Sequence, residues 1–269
     1  MVQQKPTKSS DGAGFSSNPF TSMGKGIGVL FSANPLTSMI INFVIYLLII
    51  PYIFVLLLAV VNVWLFLFGL FALIAAYIIA ALRIEAGTIV LYAESEKGNA
   101  ITTKHAVTRA VDGHILPLFL SGLLTVIAVL AGLMLFIIPG LIVIARLSLV
   151  PFVVVNEKKS GIAALRRSWN LTKGHAMEMW GTIGAQAIVG GYSAIAIIFS
   201  FAGLGNRYSE LVAHEKAGKA TGPVHWLNYL MPILMVLFIA FFVIVSIASE
   251  PTVEEPSYRR GSNSFLEYR

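Results

Sequence analysis

The stretch from residue 36 to residue 82 restricts the fold more than any other part of the chain, because it contains no charged side chain. A helix that crosses a bilayer needs about 20 predominantly apolar residues, so this stretch predicts two crossings with a turn near Asn62. The composition agrees, since 57% of the residues are hydrophobic, 12% are charged and the mean hydropathy is +0.81. Soluble domains carry about 25% charged residues, so the chain is predicted to be an integral membrane protein.

The apolar segments along the rest of the chain predict an all-α membrane domain, residues 18–249, with six transmembrane helices. We expect the crossings at about residues 38–60, 64–92, 115–138, 141–155, 177–201 and 226–248. Pro139-Gly140 is predicted to form a tight turn between the third and fourth crossings. Residues 1–17 and 250–269 are expected to be a disordered and a flexible cytoplasmic tail.

Two amphipathic segments predict helices that lie on the cytoplasmic surface of the membrane. The first has Asn18 as its cap and Pro19 at its first position, and Asn34-Pro35 ends it. The second follows Gly161. On a helix its apolar side would hold Ile162, Leu165, Trp169 and Thr172, while Arg166, Arg167 and Lys173 point elsewhere.

The distribution of lysine and arginine predicts the orientation in the cell membrane. On one side only the loop at residues 203–225 carries basic residues, namely Arg207, Lys216 and Lys219. The N-terminal segment, the 94–114 and 156–178 loops and the C-terminal tail share the other side and hold most of the remaining basic residues. Both termini are therefore expected in the cytoplasm.

An internal repeat is visible around two arginine residues. Arg83 is followed eleven residues later by Glu94, and Arg146 is followed eleven residues later by Glu157. Each glutamate opens a polar segment that closes on a Gly-His pair, at 113–114 and at 174–175. Together with the first surface helix, this predicts three parallel units, each a surface helix followed by a two-crossing hairpin.

Residues 136–175 carry a pattern that resembles a known bacterial family. The pattern consists of Pro139-Gly140, Arg146 in the next apolar run, Pro-Phe-Val-Val-Val at 151–155, an acidic turn, and Ala-Leu-Arg-Arg-Ser-Trp-Asn-Leu-Thr-Lys-Gly at 164–174. It resembles the membrane domain attached to some glycerophosphodiester phosphodiesterases, and related membrane proteins of unknown function. The resemblance covers roughly residues 20–250 and is specific only at 136–175. It implies a membrane module without the catalytic barrel, which needs a further ~250 residues of α/β pattern.

Charged side chains inside the predicted crossings are the first candidates for a functional site, because they are costly in a membrane. Arg146 lies ten residues before Asn156, about 15 Å along a helix, and Arg83 with Glu85 occupies the matching place in the repeat. One interpretation is a pocket open to the cytoplasm, lined by Arg83, Glu85 and Arg146, that binds a phosphate-bearing lipid headgroup. The other, which we favour, is that the arginines extend to the headgroups and Glu85 pairs with a neighbour.

At the membrane surface, Arg166, Arg167, Trp169 and Lys173 are candidates for binding anionic lipid headgroups. The favoured alternative is a positive anchor that needs only the general charge of the bilayer. No catalytic residue, metal ligand or cofactor is predicted. The chain has no cysteine, its five histidines show no ligand spacing, and it contains no Gly-x-Ser-x-Gly sequence.

These features predict a non-enzymatic membrane module, an accessory or scaffold protein that acts on or near phospholipids. Its expected partners are the phospholipid bilayer, anionic lipid headgroups and a protein in the membrane, and nucleic acid is not expected. The alternative is a small transporter or lipid-handling protein with an intramembrane arginine site. An intramembrane enzyme is the least favoured hypothesis.

Overall fold

A computed structural model describes residues 17–47, 51, 53, 55–57, 62–191, 197–217 and 223–248. These residues are mostly helical, and no strand occurs among them. The helices are α1 (Pro19–Ala33), α2 (Pro35–Leu47), α3 (Val63–Glu96), α4 (Thr103–Leu135), α5 (Ile137–Leu147), α6 (Val150–Glu157), α7 (Gly161–Leu171), α8 (Ala176–Gly191), α9 (Ile197–Ala217) and α10 (Leu227–Ala248). Apart from Ser17, the predicted tails lie outside the described residues, and the predicted crossing at 38–60 is described only in part.

Three segments among the described residues are long and apolar enough to cross a membrane. They are Val63–Glu96, Gly113–Leu135 and Ile137–Glu157. They coincide with the predicted crossings at 64–92, 115–138 and 141–155. The chain is therefore all-helical in its described part and has the helices of a membrane protein. The other three crossings and the three-unit repeat stay predictions, although Gly113 and Gly174, which match in the repeat, share a positive φ (82° and 88°).

Helices α3 and α4 pack against each other, and the polar turn between them is tied to the end of α1. Asn62 caps α3 by accepting a hydrogen bond from the Trp64 N–H at 2.8 Å. At the polar turn, the Asn34 side chain donates to Ser95 Oγ at 2.7 Å and to the Asn99 carbonyl at 2.9 Å, and it accepts from the Ile101 N–H at 2.7 Å. Asn34 therefore ends α1, as predicted, and also fixes the position of the turn.

The break between α4 and α5 lies at Phe136, and the prediction of a turn at Pro139-Gly140 is wrong. Phe136 is extended, with φ −168° and ψ 158°. Pro139 lies in the first turn of α5, where a backbone N–H has no partner within the helix and its absence costs little. Gly140 packs directly against Leu133, which any side chain at position 140 would strike.

Residues 203–217 form most of helix α9, whereas the sequence predicted a loop at 203–225 on the opposite side of the membrane from the 94–114 and 156–178 loops. The α9 residues contact both of those loops. Ser209 Oγ donates to Glu96 at 2.9 Å, Tyr208 donates to Glu157 at 3.3 Å, and Arg167 donates twice to Glu215 at 2.6 Å. Side chains in contact cannot lie on opposite sides of a hydrocarbon core about 30 Å thick. The predicted placement of this segment is therefore wrong.

The chain forms two compact units, Met1–Pro232 and Ile233–Arg269. The first contains α1 to α9 and the start of α10. In the second unit, the described residues are the helical segment 233–248.

Candidate functional site: a buried charge cluster between α1, α8 and α9

Helices α1, α8 and α9 approach each other closely because small residues lie where they meet. Helix α1 begins as predicted, with Asn18 Oδ1 accepting from the Phe20 N–H at 2.9 Å. Further along α1, a Cβ atom at Gly26 would overlap the Ala202 carbonyl of α9. Gly203 faces α8, where a Cβ atom would come within 3.1 Å of Thr182. The close approach brings polar side chains of all three helices within hydrogen-bonding distance.

Arg207 of α9 lies at the centre of this interface with 0% of its side chain exposed. Its Nε atom donates to Thr182 Oγ1 at 2.9 Å, and Nη1 donates to Glu210 Oε2 at 3.1 Å. Burial lowers the pKa of the Arg207 guanidinium, and the carboxylates of Glu210 and Glu178 oppose this effect. The guanidinium is thus held in the interior by neighbouring groups that favour its charge.

Glu210 extends the cluster to α1. Its Oε1 atom accepts from Asn206 Nδ2 at 3.0 Å, and the same amide nitrogen lies 2.9 Å from Ser22 Oγ. Lys25 Nζ is 3.7 Å from Glu210 Oε1, and 42% of the Lys25 side chain is exposed. The cluster therefore runs from the solvent-accessible Lys25 to the buried Arg207.

Two buried side chains of α8 retain unused hydrogen-bonding capacity. Glu178 is 2% exposed and Gln186 is 6% exposed. Glu178 Oε1 lies 3.5 Å from His175 Nδ1, but no partner is found for Glu178 Oε2 or for Gln186 Nε2 among the described residues. Glu178, Thr182 and Gln186 are four residues apart and so line one side of α8. An unpaired buried polar atom costs free energy, so this side of α8 is a candidate binding surface.

A second cluster joins α6, α7 and α9 through Arg167. Its Nε atom lies 2.9 Å from both Glu157 carboxylate oxygens, and its two terminal nitrogens each donate to a Glu215 oxygen at 2.6 Å. Lys159 adds a contact to Glu157 at 2.7 Å. The hydrogen bonds to Glu215 raise the pKa of Arg167, and the same bonds lower the pKa of Glu215. Arg167 therefore links three helices through charge-assisted hydrogen bonds.

Arg146 ties α5 to α7. Its guanidinium carbon lies 4.9 Å from the centroid of the Trp169 ring, and Nη1 donates to the Trp169 carbonyl at 3.3 Å. Ser168 Oγ donates to the Arg146 carbonyl at 2.8 Å. Arg83 is exposed and Glu85 is partly buried on α3, and in the described part of the chain no hydrogen bond or ion pair joins either of them to Arg146. A pocket lined by these three residues stays a prediction.

Helix α7 buries a different face from the predicted one. The buried residues are Ala164, Ser168, Leu171 and Thr172. Ile162 is 67% exposed and Trp169 is 39% exposed, although the sequence placed both on the apolar side together with Thr172. The reason is that the small side chains of Ala164 and Ser168 allow a closer approach to the neighbouring helices than tryptophan does. Arg166 and Lys173 are exposed as predicted, whereas Arg167 points towards Glu157 and Glu215 and forms ion pairs with both.

The charge cluster around Arg207 is not predicted from the sequence, because the predicted external loop at 203–225 contains Arg207 and no role is predicted for Glu178 or Glu210. Two signals were present. Gly203, Asn206, Arg207, Glu210 and His214 recur at spacings of three and four residues, which is typical of one helix face. Glu178, Thr182 and Gln186 are regularly spaced in an otherwise apolar run. Polar residues in a sequence suggest exposure to solvent, although in pairs they can lie inside a helical assembly.

Comparisons with known proteins identify no relative whose function could guide the interpretation of these clusters. No protein-family model, curated protein or solved structure matches the chain. The resemblance of residues 136–175 to a phosphodiesterase-associated membrane domain therefore stays a prediction. Among the residues that the structure describes, no group of three or more His, Cys, Asp or Glu side chains could hold a metal ion.

Proposed function

We propose that the chain is a non-catalytic integral membrane module, an accessory or scaffold protein that works on or near phospholipids in the cell membrane. The observation that supports this is the pairing of charged side chains across helices. Arg167 of α7 pairs with Glu157 of α6 and with Glu215 of α9, and Lys25 of α1 pairs with Glu210 of α9. Arg207 of α9 donates to Thr182 of α8 and pairs with Glu210 on its own helix. Charges that are paired and hydrogen-bonded in this way fix the positions of helices, which is the role of a scaffold.

The exposed apolar surface supports the membrane part of the proposal. Helix α3 exposes a series of large apolar side chains, including Trp64, Phe68, Phe71 and Ile74. Helix α4 does the same towards its C-terminal end, where Met134 is among the exposed residues. A soluble monomer rarely exposes continuous apolar surface of this kind, whereas lipid chains would cover it.

The positions of the basic side chains support an orientation for the module. Lys158, Arg166 and Lys173 lie at the end of the helical assembly where α6, α7 and α9 meet. Lysine and arginine accumulate on the cytoplasmic side of membrane proteins. In this proposal that end faces the cytoplasm, and the C-terminal end of α9 faces it as well.

A second candidate function is the handling or transport of lipid, and the buried charge cluster around Arg207 favours it. The surroundings of Arg207 differ from those of a purely structural ion pair in one respect, since Glu178 Oε2 and Gln186 Nε2 have no partner among the described residues. Buried ionisable groups in membrane proteins often mark substrate or ion pathways. If lipid is handled, Arg207 rather than Arg146 would be the arginine that does it.

Transbilayer movement of a headgroup-labelled phospholipid in proteoliposomes separates the two functions. The scaffold proposal expects the labelled lipid to move at the same rate as in protein-free vesicles. Protein-dependent acceleration that is lost in Arg207→Gln and kept in Arg83→Gln would contradict the scaffold proposal and support lipid handling. Arg83 is a suitable control because it is exposed and belongs to a different helix.

A further inference from the structure

Helix α7 and the turn after it present a continuous exposed face formed by Ile162, Arg166, Trp169 and Lys173, called here the α7 face. These residues are spaced by four, three and four positions, which places them on one side of a helix. The opposite side is fixed to the protein, because Ser168 and Thr172 donate to the Arg146 carbonyl at 2.8 Å and 3.1 Å. The α7 face is therefore held outward by packing on its reverse side.

The positive charge of the α7 face is not compensated by nearby carboxylates. Glu157 is engaged by Lys159 and Arg167, and Glu215 is engaged by Arg167. Among the described residues, Arg166 and Lys173 form no ion pair, and both are exposed. Arg167 thus occupies the neighbouring carboxylates of Glu157 and Glu215. The Arg166 guanidinium and the Lys173 ammonium group, which carry no ion pair in the described part of the chain, can only donate hydrogen bonds.

Trp169 lies between these two cations and is fixed in place. The Arg146 guanidinium packs against its ring at 4.9 Å from the centroid, and Arg146 belongs to Ile137–Glu157, a segment apolar enough to cross a membrane. The α7 face therefore adjoins a segment that is apolar enough to cross a membrane and is half buried inside the protein. Tryptophan with flanking Arg and Lys is typical of the membrane–water interface, where the ring contacts acyl chains and the cations contact headgroups.

We infer that the α7 face binds the headgroups of anionic phospholipids, with Arg166 and Lys173 contacting phosphate and Trp169 and Ile162 entering the acyl-chain boundary. Charge complementarity selects an anionic lipid, and the neighbouring segment Ile137–Glu157, which is apolar enough to cross a membrane, would bring the face close to the bilayer. The inference rests on the proposed function, and it names the lipid class that this membrane module would work beside.

Native mass spectrometry of the detergent-solubilised full chain tests the inference, with phosphatidylglycerol as probe and phosphatidylcholine as neutral comparison. The wild-type chain should bind phosphatidylglycerol more tightly than phosphatidylcholine. The double variant Arg166→Gln/Lys173→Gln should bind phosphatidylglycerol about tenfold more weakly, because each basic residue near a membrane surface contributes to anionic lipid binding. Both substitutions are at exposed positions, so the thermal midpoint should not change.

The matched control is Lys104→Gln/Lys216→Gln, which removes the same charge from exposed positions outside the α7 face. It should keep the wild-type preference for phosphatidylglycerol. Equal weakening in both double variants would overturn the inference, since it would show an effect of net charge alone, and so would the absence of any preference in the wild type. Displacement of the lipid by an equal concentration of soluble glycerol phosphate would also overturn it, because a free phosphate site would then explain the binding.

The result of the lipid-binding experiment is independent of the result of the transbilayer-movement experiment. Loss of lipid preference would leave the rate of transbilayer lipid movement unchanged, whereas movement that depends on Arg207 would refute the scaffold proposal without affecting the α7 face.

Discussion

Arg207 is completely buried, and its neighbours account for its presence there. Thr182 and Glu210 accept its hydrogen bonds, and Glu178 adds a favourable electrostatic interaction. Removing one partner from a buried ion pair is more damaging than never having the pair, because the remaining charge is left without compensation. The stability of the α1–α8–α9 interface should therefore depend on Arg207 in particular.

Replacement of Arg207 by Met should lower the free energy of unfolding by about 3–5 kcal/mol, since the buried carboxylate of Glu210 loses its buried cationic partner. Lys25→Met is the matched control. It removes a contact to the same carboxylate, but the Lys25 side chain is 42% exposed and should contribute less than about 1 kcal/mol. Equilibrium unfolding of the detergent-solubilised protein measures both. Similar losses in the two variants would contradict the assignment of Arg207 as the central group.

The Arg167–Glu215 pair should make stability depend on acid pH. The hydrogen bonds from Arg167 lower the pKa of Glu215 in the folded protein relative to its ordinary value. A lowered carboxyl pKa stabilises the folded state above the pKa of the unfolded state, and this contribution is lost as the pH falls through the folded pKa. The difference in unfolding free energy between wild type and Glu215→Gln should therefore be constant near neutral pH and shrink below about pH 4. A difference that grows on acidification would show the opposite sign of linkage.

At the level of helices, the packing of α1 on α9 depends on the absence of a side chain at Gly26. A Cβ atom there would overlap the backbone of Ala202, which cannot move aside as a flexible side chain could. The sequence predicted α1, its Asn18 cap and its end at Asn34, because these follow from local rules. It could not predict which helix covers α1, since that depends on contacts nearly 200 residues away in the chain, such as Ser22 with Asn206.

Gly26→Ala should destabilise the protein by roughly 2 kcal/mol or more, as overpacking of a close helix contact does. Gly24→Ala and Gly28→Ala are controls on the same helix, because no atom lies within 4 Å of a Cβ atom at either position. These two should be neutral or should stabilise α1 by up to about 1 kcal/mol through helix propensity. Thermal unfolding of the three variants tests the packing, and a destabilisation of all three by the same amount would contradict it.

The same distinction between local and long-range information explains why the sequence predicts some features of α7 and not others. The sequence predicts its start after the turn at residue 161 and the outward position of Arg166 and Lys173, but not its buried face. The apolar side of an isolated helix suggested Ile162 and Trp169, whereas the interface uses Ala164 and Ser168, whose small size permits close contact. Sequence periodicity detects hydrophobicity, and it does not detect how closely two backbones approach.

At the scale of the whole chain, the three segments apolar enough to cross a membrane were predictable from hydropathy alone. The placement of residues 203–217 was not, because a count of basic residues treats every charge as exposed. Arg207 contributed to the predicted external loop although it is buried between helices. The contacts of Glu215, Ser209 and Tyr208 with Arg167, Glu96 and Glu157 instead unite α9 with the ends of α3, α6 and α7.

The contacts of α9 require its C-terminal end to lie on the same side of the membrane as α7, and the accessibility of introduced cysteines tests this placement. The chain has no native cysteine, so single introduced cysteines give an unambiguous signal. Asn170→Cys reports on α7 and Lys216→Cys reports on α9, and both positions are exposed. We expect an impermeant thiol reagent to label neither variant in intact cells and to label both after permeabilisation. Labelling of Lys216→Cys but not Asn170→Cys in intact cells would contradict the account, because it would place the two helix ends on opposite sides of the bilayer.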